Sequence, residues 1–466
     1  MLGMGNMRQW LMNISLVGGW FPAAAFAVVA VLSVTLLVSA AVSKRDGRIL
    51  ATVLPIGVAA VSGMVGYVVA WLLSDVFGVF GVGLGSRVMS WVAAGFAIAG
   101  FAIVHIVLSR GMMRVAAAIL TVFAILAAAI GIDQSYGEYA TIGSLFGEDS
   151  YSQADLTGLA KRKDLITVAQ WRKQAANGTI RNIPANGTVN KIDIPATKSQ
   201  FEARKALVYL PPAALADSKR KPALPVVLML SGQPGSPGRV FQAGGIQTMM
   251  DGYAKTHDGL APIVIAADQL GADSHNTLCV DSKVYGNALT YLTQDVVDWV
   301  KTNLPAAQDA KDWAIAGFSQ GATCSLQIGV NHPDLFGTMI PTDSEIKPTN
   351  GSRQEMIDRF FDGDTTAYEN QVPVNAIRNH APTHQMLIIG AGEKDTTSIR
   401  NVKTIAPVAA KAGMRVAAVE SSGNAHDWHA VQDVLRYGLA VFGHDTGLDG
   451  ANPNLSDYPN LKRITI

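Results

Sequence analysis

The stretch Trp313–Gln327 reads WAIAGFSQGATCSLQ and decides the fold of the C-terminal part of the chain. A short apolar run typical of a strand meets GFSQG at 317–321, and a helix-like run follows. The pattern G-x-S-x-G recurs by chance, but a strand before it and a helix after it make it specific. The turn also places Ser319 at a helix N-terminus, whose partial positive charge favours a developing oxyanion. The stretch predicts a nucleophile elbow at Ser319, with an ordinary Gly-Ser turn as the alternative.

A serine hydroxyl is a poor nucleophile without a base, so Ser319 needs partners elsewhere in the chain. In a fold with such an elbow, an acid and then a histidine follow the serine along the chain. The apolar run Gln385–Ile389 leads into GAGEKD at 390–395, and Met414–Val419 leads into SSGNAHDWH at 421–429. Asp395 is therefore the predicted acid that orients the imidazole. His426 is the predicted base that takes the Ser319 proton.

Three other residues compete for these two roles. Glu393 is the alternative acid, unless it is a surface glutamate. Asp343, after the apolar run Gly337–Ile340, is a weaker alternative that could instead shape the pocket or cap the following segment. His429 is the alternative base, but it falls where a helix should begin.

An oxyanion hole needs two backbone N–H groups, and the sequence offers both. One belongs to Gln320, the residue after the nucleophile. The other should come from the loop SGQPGSPG at 231–238, after the apolar run Pro225–Leu230. Pro234 has no N–H, so Gln233 is the predicted donor. The competing interpretation is a flexible glycine-proline loop.

Short apolar strands alternate with helical segments through this part of the chain. The predicted strands are Ala206–Leu210, Pro225–Leu230, Ala261–Ala267, Trp313–Ala316, Gly337–Ile340, Gln385–Ile389 and Met414–Val419. Leu292–Asn303 fits an amphipathic helix. This alternation predicts an α/β fold with a doubly wound, mostly parallel sheet covered on both faces. Ligands in such sheets bind at the carboxyl ends of the strands, which is where the polar motifs fall.

The N-terminal region is built differently, from four apolar stretches near the ~20 residues that cross a bilayer as a helix. They are Pro22–Val42, Leu50–Leu73, Val88–Leu108 and Val115–Ile132. We therefore expect a transmembrane region at 1–132. An extracytoplasmic linker and the start of the soluble domain follow at 133–194, and the catalytic domain occupies 195–466.

Charges in the loops predict the orientation of these spans. Lys44, Arg45 and Arg48 lie between the first two stretches, and Arg110 and Arg114 lie between the last two. Basic loops stay in the cytoplasm. Both termini and the catalytic domain are then extracytoplasmic, in a multi-pass protein of the cell membrane.

Composition limits the remaining possibilities. The formal net charge of +1 gives no indication of nucleic-acid binding. Two cysteines, Cys279 and Cys324, cannot form a zinc cluster. They could form one disulfide in an exported domain or remain two buried thiols. Without a nucleotide-binding or metal-ligand motif, we predict neither a cofactor nor a metal.

Residues from about 195 to 445 resemble the esterase D-like branch of the α/β-hydrolases, which includes the secreted mycolyltransferases. The resemblance rests on VYLPP at 208–212, PVVLMLSG at 225–232, GFSQGA at 317–322, HPDLF at 332–336 and GNAHDWHAV at 423–431. It implies an α/β-hydrolase fold and ester chemistry, with Ser319, His426 and either Asp395 or Glu393 as the triad. Relatives often carry His-Gly or Asp-Gly where this chain has Ser231-Gly232. The four-span region resembles the membrane anchors of some actinobacterial-type esterases in layout.

These observations predict a membrane-anchored serine esterase that hydrolyses a lipid- or envelope-borne carboxylic ester through an acyl-enzyme. A bilayer tether favours such a substrate because it raises the effective concentration of lipid-borne esters. One alternative is an acyltransferase that passes the acyl group to a sugar or lipid hydroxyl. The other is a catalytically inactive envelope-binding module.

Overall fold

The computed structural model describes residues 4–42, 48–77, 83–148, 151–160, 162–180, 182–379 and 384–466. The loop charges Lys44 and Arg45 lie outside the described residues. The chain divides into two compact units, Met1–Asp149 and Ser150–Ile466. Each unit is described by itself.

The first unit is helical. Its helices are α1 (Met4–Met12), α2 (Trp20–Ala41), α3 (Arg48–Trp71, continued by a π-helical turn at Leu72–Val76), α4 (Gly85–Leu108), α5 (Met112–Tyr136) and α6 (Ile142–Leu145). Among the described residues, four helices are long and apolar enough to cross a membrane, spanning Trp20–Ala41, Thr52–Val76, Gly85–Leu108 and Met112–Tyr136. They confirm the predicted series of four apolar helices and suggest membrane anchoring.

Small residues let these helices pack closely. A Cβ at Gly100 would lie 2.4 Å from Oγ of Ser62 on the neighbouring helix, and one at Gly131 would lie 2.3 Å from the Trp91 ring. Large apolar side chains such as Val34 and Ile125 point outward, 60% and 65% exposed. Close contacts through glycine with apolar residues outside are typical of helices packed in lipid.

The second unit is built on one ten-stranded sheet. In chain order its strands are β1 (Ser152–Gln153), β2 (Thr188–Ile192), β3 (Ala206–Leu210), β4 (Val226–Leu230), β5 (Ile263–Ala266), β6 (Trp313–Phe318), β7 (Thr338–Thr342), β8 (Met386–Gly392), β9 (Arg415–Ser421) and β10 (Leu461–Arg463). Their spatial order is β1-β2-β3-β5-β4-β6-β7-β8-β9-β10. Neighbouring strands from β5 to β9 in this order run parallel. Strand β3 pairs antiparallel with β5, and β10 pairs antiparallel with β9. The predicted doubly wound, mostly parallel sheet is confirmed.

The second unit also contains helices, most of which cover the two faces of this sheet. They are α7 (Val168–Ala176), α8 (Pro212–Leu215), α9 (Pro237–Gln242), α10 (Ile246–Lys255), α11 (Ala288–Thr290), α12 (Val296–Asn303), α13 (Gln320–Asn331), α14 (Arg353–Phe360), α15 (Thr365–Glu369), α16 (Pro373–Asn379), α17 (Thr396–Lys411) and α18 (Trp428–Asp445). A π-helical turn at Tyr291–Asp295 joins α11 to α12. Two small two-stranded sheets pair Leu165–Ile166 with Lys221–Pro222 and Asp281–Ser282 with Gly286–Asn287.

Strand β6 shows why both faces are buried. Successive side chains of a strand point to opposite faces. Ile315 packs into the core that includes α12, α13, α16 and α17, whereas Ala314 and Ala316 pack into the core that includes α9, α10 and α18. The loops after β6, β8 and β9 leave the same edge of this parallel sheet, and that edge carries the polar motifs.

Candidate active site

Ser319 lies in a strained turn between β6 and α13. Its backbone angles are φ 54° and ψ −116°, in a region that residues other than glycine rarely adopt. A Cβ at Gly317 would lie 2.2 Å from the Gly321 carbonyl oxygen, and one at Gly321 would lie 2.3 Å from that of Ser231. The Ser319 N–H donates to the Thr342 carbonyl over 3.0 Å, which joins the turn to the end of β7. These contacts are those of a nucleophile elbow, which needs glycine on both sides.

The structure brings Ser319, His426 and Asp395 into one hydrogen-bonded row. Nε2 of His426 lies 2.8 Å from Oγ of Ser319, and Nδ1 lies 2.7 Å from Oδ2 of Asp395. An ionised carboxylate only accepts hydrogen bonds, so Nδ1 carries the hydrogen and Nε2 is left to accept from the serine hydroxyl. This is the arrangement in which an imidazole can remove the serine proton.

Asp395 and the residue after His426 each cap the start of a helix. Asp395 is the N-cap of α17, where its Oδ1 accepts the Ser398 N–H over 3.0 Å. Asp427, next to the base, is the N-cap of α18 and accepts the Ala430 N–H over 2.9 Å. Because a Cβ at Gly392 would lie 2.0 Å from a carbonyl oxygen of the base loop, glycine lets the two loops meet.

A buried polar network fixes the loop that carries the base. Oγ of Ser421 donates to Oδ2 of Asp433 over 2.6 Å, and the Asn424 side-chain amide donates to both of these oxygens. Asp433 lies on α18 and Ser421 ends β9. The loop is thus tied at both ends, which limits how far the imidazole can move.

Electrostatics in the site favour an ionised acid and a basic histidine. Burial raises the pKa of Asp395, but the hydrogen bond and positive charge of His426 and the bonds from Ser398 outweigh it and lower the pKa below its usual range. Burial lowers the pKa of His426, but the Asp395 hydrogen bond and the nearby carboxylates Asp343, Asp395 and Asp427 raise it above its usual range. The imidazolium formed when His426 takes a proton is therefore stabilised.

The competing candidates lie elsewhere or have other contacts. Glu393 points to the surface, where it accepts the Gly423 N–H over 2.7 Å and pairs with Lys462 over 2.9 Å. The bond from Gly423 and then the contact with Lys462 lower its pKa. His429 lies in the first turn of α18. Neither side chain is in the row with Ser319.

Asp343 is much closer to the site than Glu393. It follows β7 directly and is fully buried. Among the described residues, Asp343, Asp395 and His426 form a group whose possible metal-ligand atoms all lie within 4.8 Å of one another. Asp395 and His426 are already hydrogen-bonded to each other, so these two groups are engaged within the row.

The predicted oxyanion donors lie beside Ser319. Gln320 begins α13, and its side chain is held by bonds from Gln269 (3.1 Å) and to Asn276 (3.2 Å). The Gln233 side chain donates to the Ser274 carbonyl over 3.1 Å. A Cβ at the neighbouring Gly232 would lie 3.5 Å from Cβ of Ser319, so the loop approaches the serine closely at that residue.

Cys279 and Cys324 form a disulfide. Their Cα atoms are 5.7 Å apart and the bond closes a loop of 45 residues. Cys324 lies on α13, one turn beyond the elbow, and the Gln320 side chain lies 3.8 Å from Sγ of Cys279. The bond therefore ties the loop after β5 to the helix that begins at the nucleophile.

Several residues of the site were not found by sequence reasoning. The Phe318 ring lies 5.0 Å from both the His426 and the Trp428 rings, so an aromatic wall backs the imidazole. Glu345 donates its backbone N–H to Oγ1 of Thr323, and burial raises the pKa of its carboxyl. The only sequence signal for these residues is their closeness to the motifs: Phe318 lies inside the elbow and Trp428 two residues after the base.

The strained elbow, the serine-histidine-aspartate row and the mostly parallel sheet define an α/β-hydrolase. The family model described as "Putative esterase" matches residues 198–438. An uncharacterized protein of Corynebacterium glutamicum is 32% identical over 333 residues, which cover 70% of this chain and 74% of that protein. The chain belongs to this esterase family, and membership supports hydrolase activity on esters.

The chain is also similar, at lower identity, to solved structures. An S-formylglutathione hydrolase from Agrobacterium tumefaciens is 15% identical, with a TM-score of 0.47, over 57% of this chain and 99% of that chain. MPT51 (FbpC1) of Mycobacterium tuberculosis is 14% identical, with a TM-score of 0.40, over 55% of this chain and 98% of that chain.

Proposed function

We propose that this protein is a membrane-anchored, extracytoplasmic serine esterase that cleaves a lipid- or envelope-borne ester through an acyl-enzyme. The observation that carries the proposal is the hydrogen-bonded row of Ser319, His426 and Asp395, with 2.8 Å and 2.7 Å between the bonded atoms. Both distances are within the reach that general-base activation of a nucleophile requires.

In the proposed reaction, Oγ of Ser319 attacks the ester carbonyl while Nε2 of His426 takes the hydroxyl proton. Asp395 holds the imidazole tautomer and stabilises the imidazolium. The N–H groups of Gln320 and Gln233 receive the oxyanion. His426 then returns the proton to the leaving alcohol, and an acyl group remains on Ser319. Water, deprotonated by His426, releases the acid and restores the serine.

Two observations support a substrate that lies at the membrane, outside the cytoplasm. Four helices are long and apolar enough to span a bilayer, which would hold the catalytic domain near lipid-borne esters. The Cys279–Cys324 disulfide suits an oxidising compartment outside the cytoplasm, in agreement with the basic loops on the opposite side of the predicted spans.

The proposal is tested by labelling the full-length protein in detergent with a fluorophosphonate probe and measuring hydrolysis of p-nitrophenyl esters. We expect labelling and hydrolysis in the wild type and neither in Ser319→Ala. Ser456→Ala, which changes an exposed serine of the C-terminal region, is the matched control and should behave as wild type. A folded wild-type protein that takes no label would contradict the proposal. Acyl transfer to an added sugar or lipid alcohol that outruns hydrolysis would identify a transferase instead.

A further inference from the structure

We propose that Asp343 is a positioning residue of this site: a second carboxyl that holds the acid loop and takes over the charge opposite His426 when Asp395 is absent. The inference rests on the proposed function of Ser319, His426 and Asp395. It assigns a role to a buried carboxyl that the serine-histidine-aspartate row does not use.

The backbone of Asp343 joins two neighbouring strands. Asp343 follows β7 with φ 55°, a left-handed conformation in which aspartate is tolerated. Its N–H donates to the Gly390 carbonyl over 2.9 Å, and its Oδ1 accepts the Gly392 N–H over 2.9 Å. Gly390 and Gly392 lie at the end of β8, just before the loop that carries Asp395. Asp343 thus fixes the strand end from which the acid projects.

The second carboxyl oxygen is the unusual feature. Oδ2 of Asp343 is buried and has no hydrogen-bond partner among the described residues. Possible ligand atoms of Asp343, Asp395 and His426 all lie within 4.8 Å of one another. A buried polar atom without a partner is costly, and its presence calls for an explanation. Here the atom belongs to a carboxyl that lies beside the catalytic imidazole.

Charge explains why only one of the two carboxyls ionises at a time. Burial, together with the negative charge of Asp395, raises the pKa of Asp343 well above its usual range, while positive His426 lowers it. Two carboxylates this close cannot both ionise easily. If Asp395 is replaced by asparagine, the neighbouring negative charge is removed, so Asp343 can ionise and become the anion that faces the imidazolium. The negative charge of Asp427 also raises the pKa of Asp343 and that of His426. Burial raises the pKa of Glu345, and the charge of His426 lowers it.

A double-mutant cycle in the full-length protein tests this role. Wild type, Asp343→Asn, Asp395→Asn and the double variant are compared by kcat/KM for a p-nitrophenyl ester across pH. Asparagine at position 343 keeps an acceptor for the Gly392 N–H but cannot ionise. We expect Asp343→Asn to cost at least about tenfold more in the Asp395→Asn background than in the wild type. The acid limb of Asp395→Asn should lie at higher pH than that of the double variant, because an anionic Asp343 raises the pKa of His426.

A purely structural Asp343 gives a different result. The two losses would then multiply, and the acid limbs of Asp395→Asn and the double variant would coincide; this outcome overturns the inference. If Asp343→Asn does not fold, as judged by thermal unfolding, Asp343→Ser enters the same cycle. Ser319→Ala is measured alongside: full activity in that variant contradicts the proposed function itself, whereas its inactivity with an additive cycle contradicts only the role of Asp343.

Discussion

Glu393 and Asp395 lie two positions apart, but Glu393 makes its contacts at the surface and Asp395 contacts His426. We predict that Asp395→Asn lowers kcat at least about a hundredfold, because the imidazole loses the partner that fixes its tautomer. Glu393→Gln should stay within about twofold of wild type, because Glu393 contacts Gly423 and Lys462 at the surface. Steady-state hydrolysis of a p-nitrophenyl ester measures both. Equal losses in the two variants would refute the assignment of the acid.

The state of the base makes the reaction sensitive to pH. His426 must be neutral to accept the Ser319 proton, and its pKa is raised above the ordinary value near 6.5. The kcat/KM should therefore be full above the pKa of His426 and fall as the pH drops through it, with a midpoint higher than that of an isolated histidine. Circular dichroism at each pH separates this effect from unfolding. A midpoint at or below 6.5 would contradict the electrostatic environment described above.

Residues with a distinctive local context could be predicted from the sequence. Ser319, Asp395 and His426 each follow an apolar strand in the order that an elbow fold requires. The choice between Glu393 and Asp395 and the burial of Asp343 could not be predicted, because both depend on packing. Glu393 and Asp395 differ by two positions in one loop, less than the uncertainty of a strand end, and no local pattern says which turns inward. The depth of Asp343 depends on the position of β7 between β6 and β8, a property of the assembled sheet.

At the scale of elements, the elbow depends on the absence of side chains where strand and helix cross. A Cβ at Gly321 would lie 2.3 Å from the Ser231 carbonyl oxygen and 2.6 Å from that of Leu230, both of them backbone atoms. We predict that Gly321→Ala destabilises the protein by about 1–3 kcal/mol. It should also reduce activity strongly, because α13 must shift away from β4 and carry Ser319 with it.

Gly252→Ala is the matched control for that substitution. Gly252 lies within α10, and an added Cβ there meets nothing within 4 Å. Alanine is a better helix former than glycine, by up to about 1 kcal/mol, so this variant should keep its activity and unfold at the same or a higher temperature. Thermal unfolding in detergent and ester hydrolysis measure both variants. A Gly321→Ala protein as active as Gly252→Ala would show that the crossing is not tight.

The disulfide between the loop after β5 and α13 should stabilise the catalytic unit. Closing a loop of 45 residues removes chain entropy worth about 4 kcal/mol from the unfolded state. Cys279→Ser should lower the free energy of unfolding by about that amount. A reductant should lower the unfolding temperature of the wild type and leave that of Cys279→Ser unchanged. Equal sensitivity of the two proteins to reductant would contradict a bond between these cysteines.

Buried strands were easier to predict than edge strands. The central strands are apolar runs, and the sequence predicts β3 at its observed bounds, while β6 and β9 end two residues later than predicted and β8 ends three residues later. Strands β1, β2 and β10 contain mostly polar residues and were not predicted. Their side chains face water at least in part, so neither an apolar run nor a clean alternation marks them.

For the whole molecule, two independent signals bear on which side of the membrane the catalytic unit faces. Basic residues are concentrated in the loops that precede α3 and α5, and such loops remain in the cytoplasm. Separately, Cys279 and Cys324 are bonded in the catalytic unit, and disulfides persist mainly outside the cytoplasm. Loop charge acts during membrane insertion, whereas the disulfide forms during folding. The two signals are therefore independent, and both predict an extracytoplasmic catalytic domain.

The orientation can therefore be tested with two readouts that share no assumption. Alkaline phosphatase fused after Ile466 should be active and green fluorescent protein at the same place dark, whereas a fluorescent protein fused after Ser109, between α4 and α5, should fluoresce. Replacing Lys44, Arg45, Arg48, Arg110 and Arg114 by glutamine removes the basic residues that set the predicted orientation, and a fraction of the chains should then insert in the opposite orientation. In that fraction the catalytic unit lies in a reducing compartment, so Cys279 and Cys324 should react with a thiol-alkylating reagent, as they should not in the wild type. A fluorescent C-terminal fusion of the wild-type chain would place Ser319 in the cytoplasm and contradict the extracytoplasmic esterase, while leaving its chemistry intact.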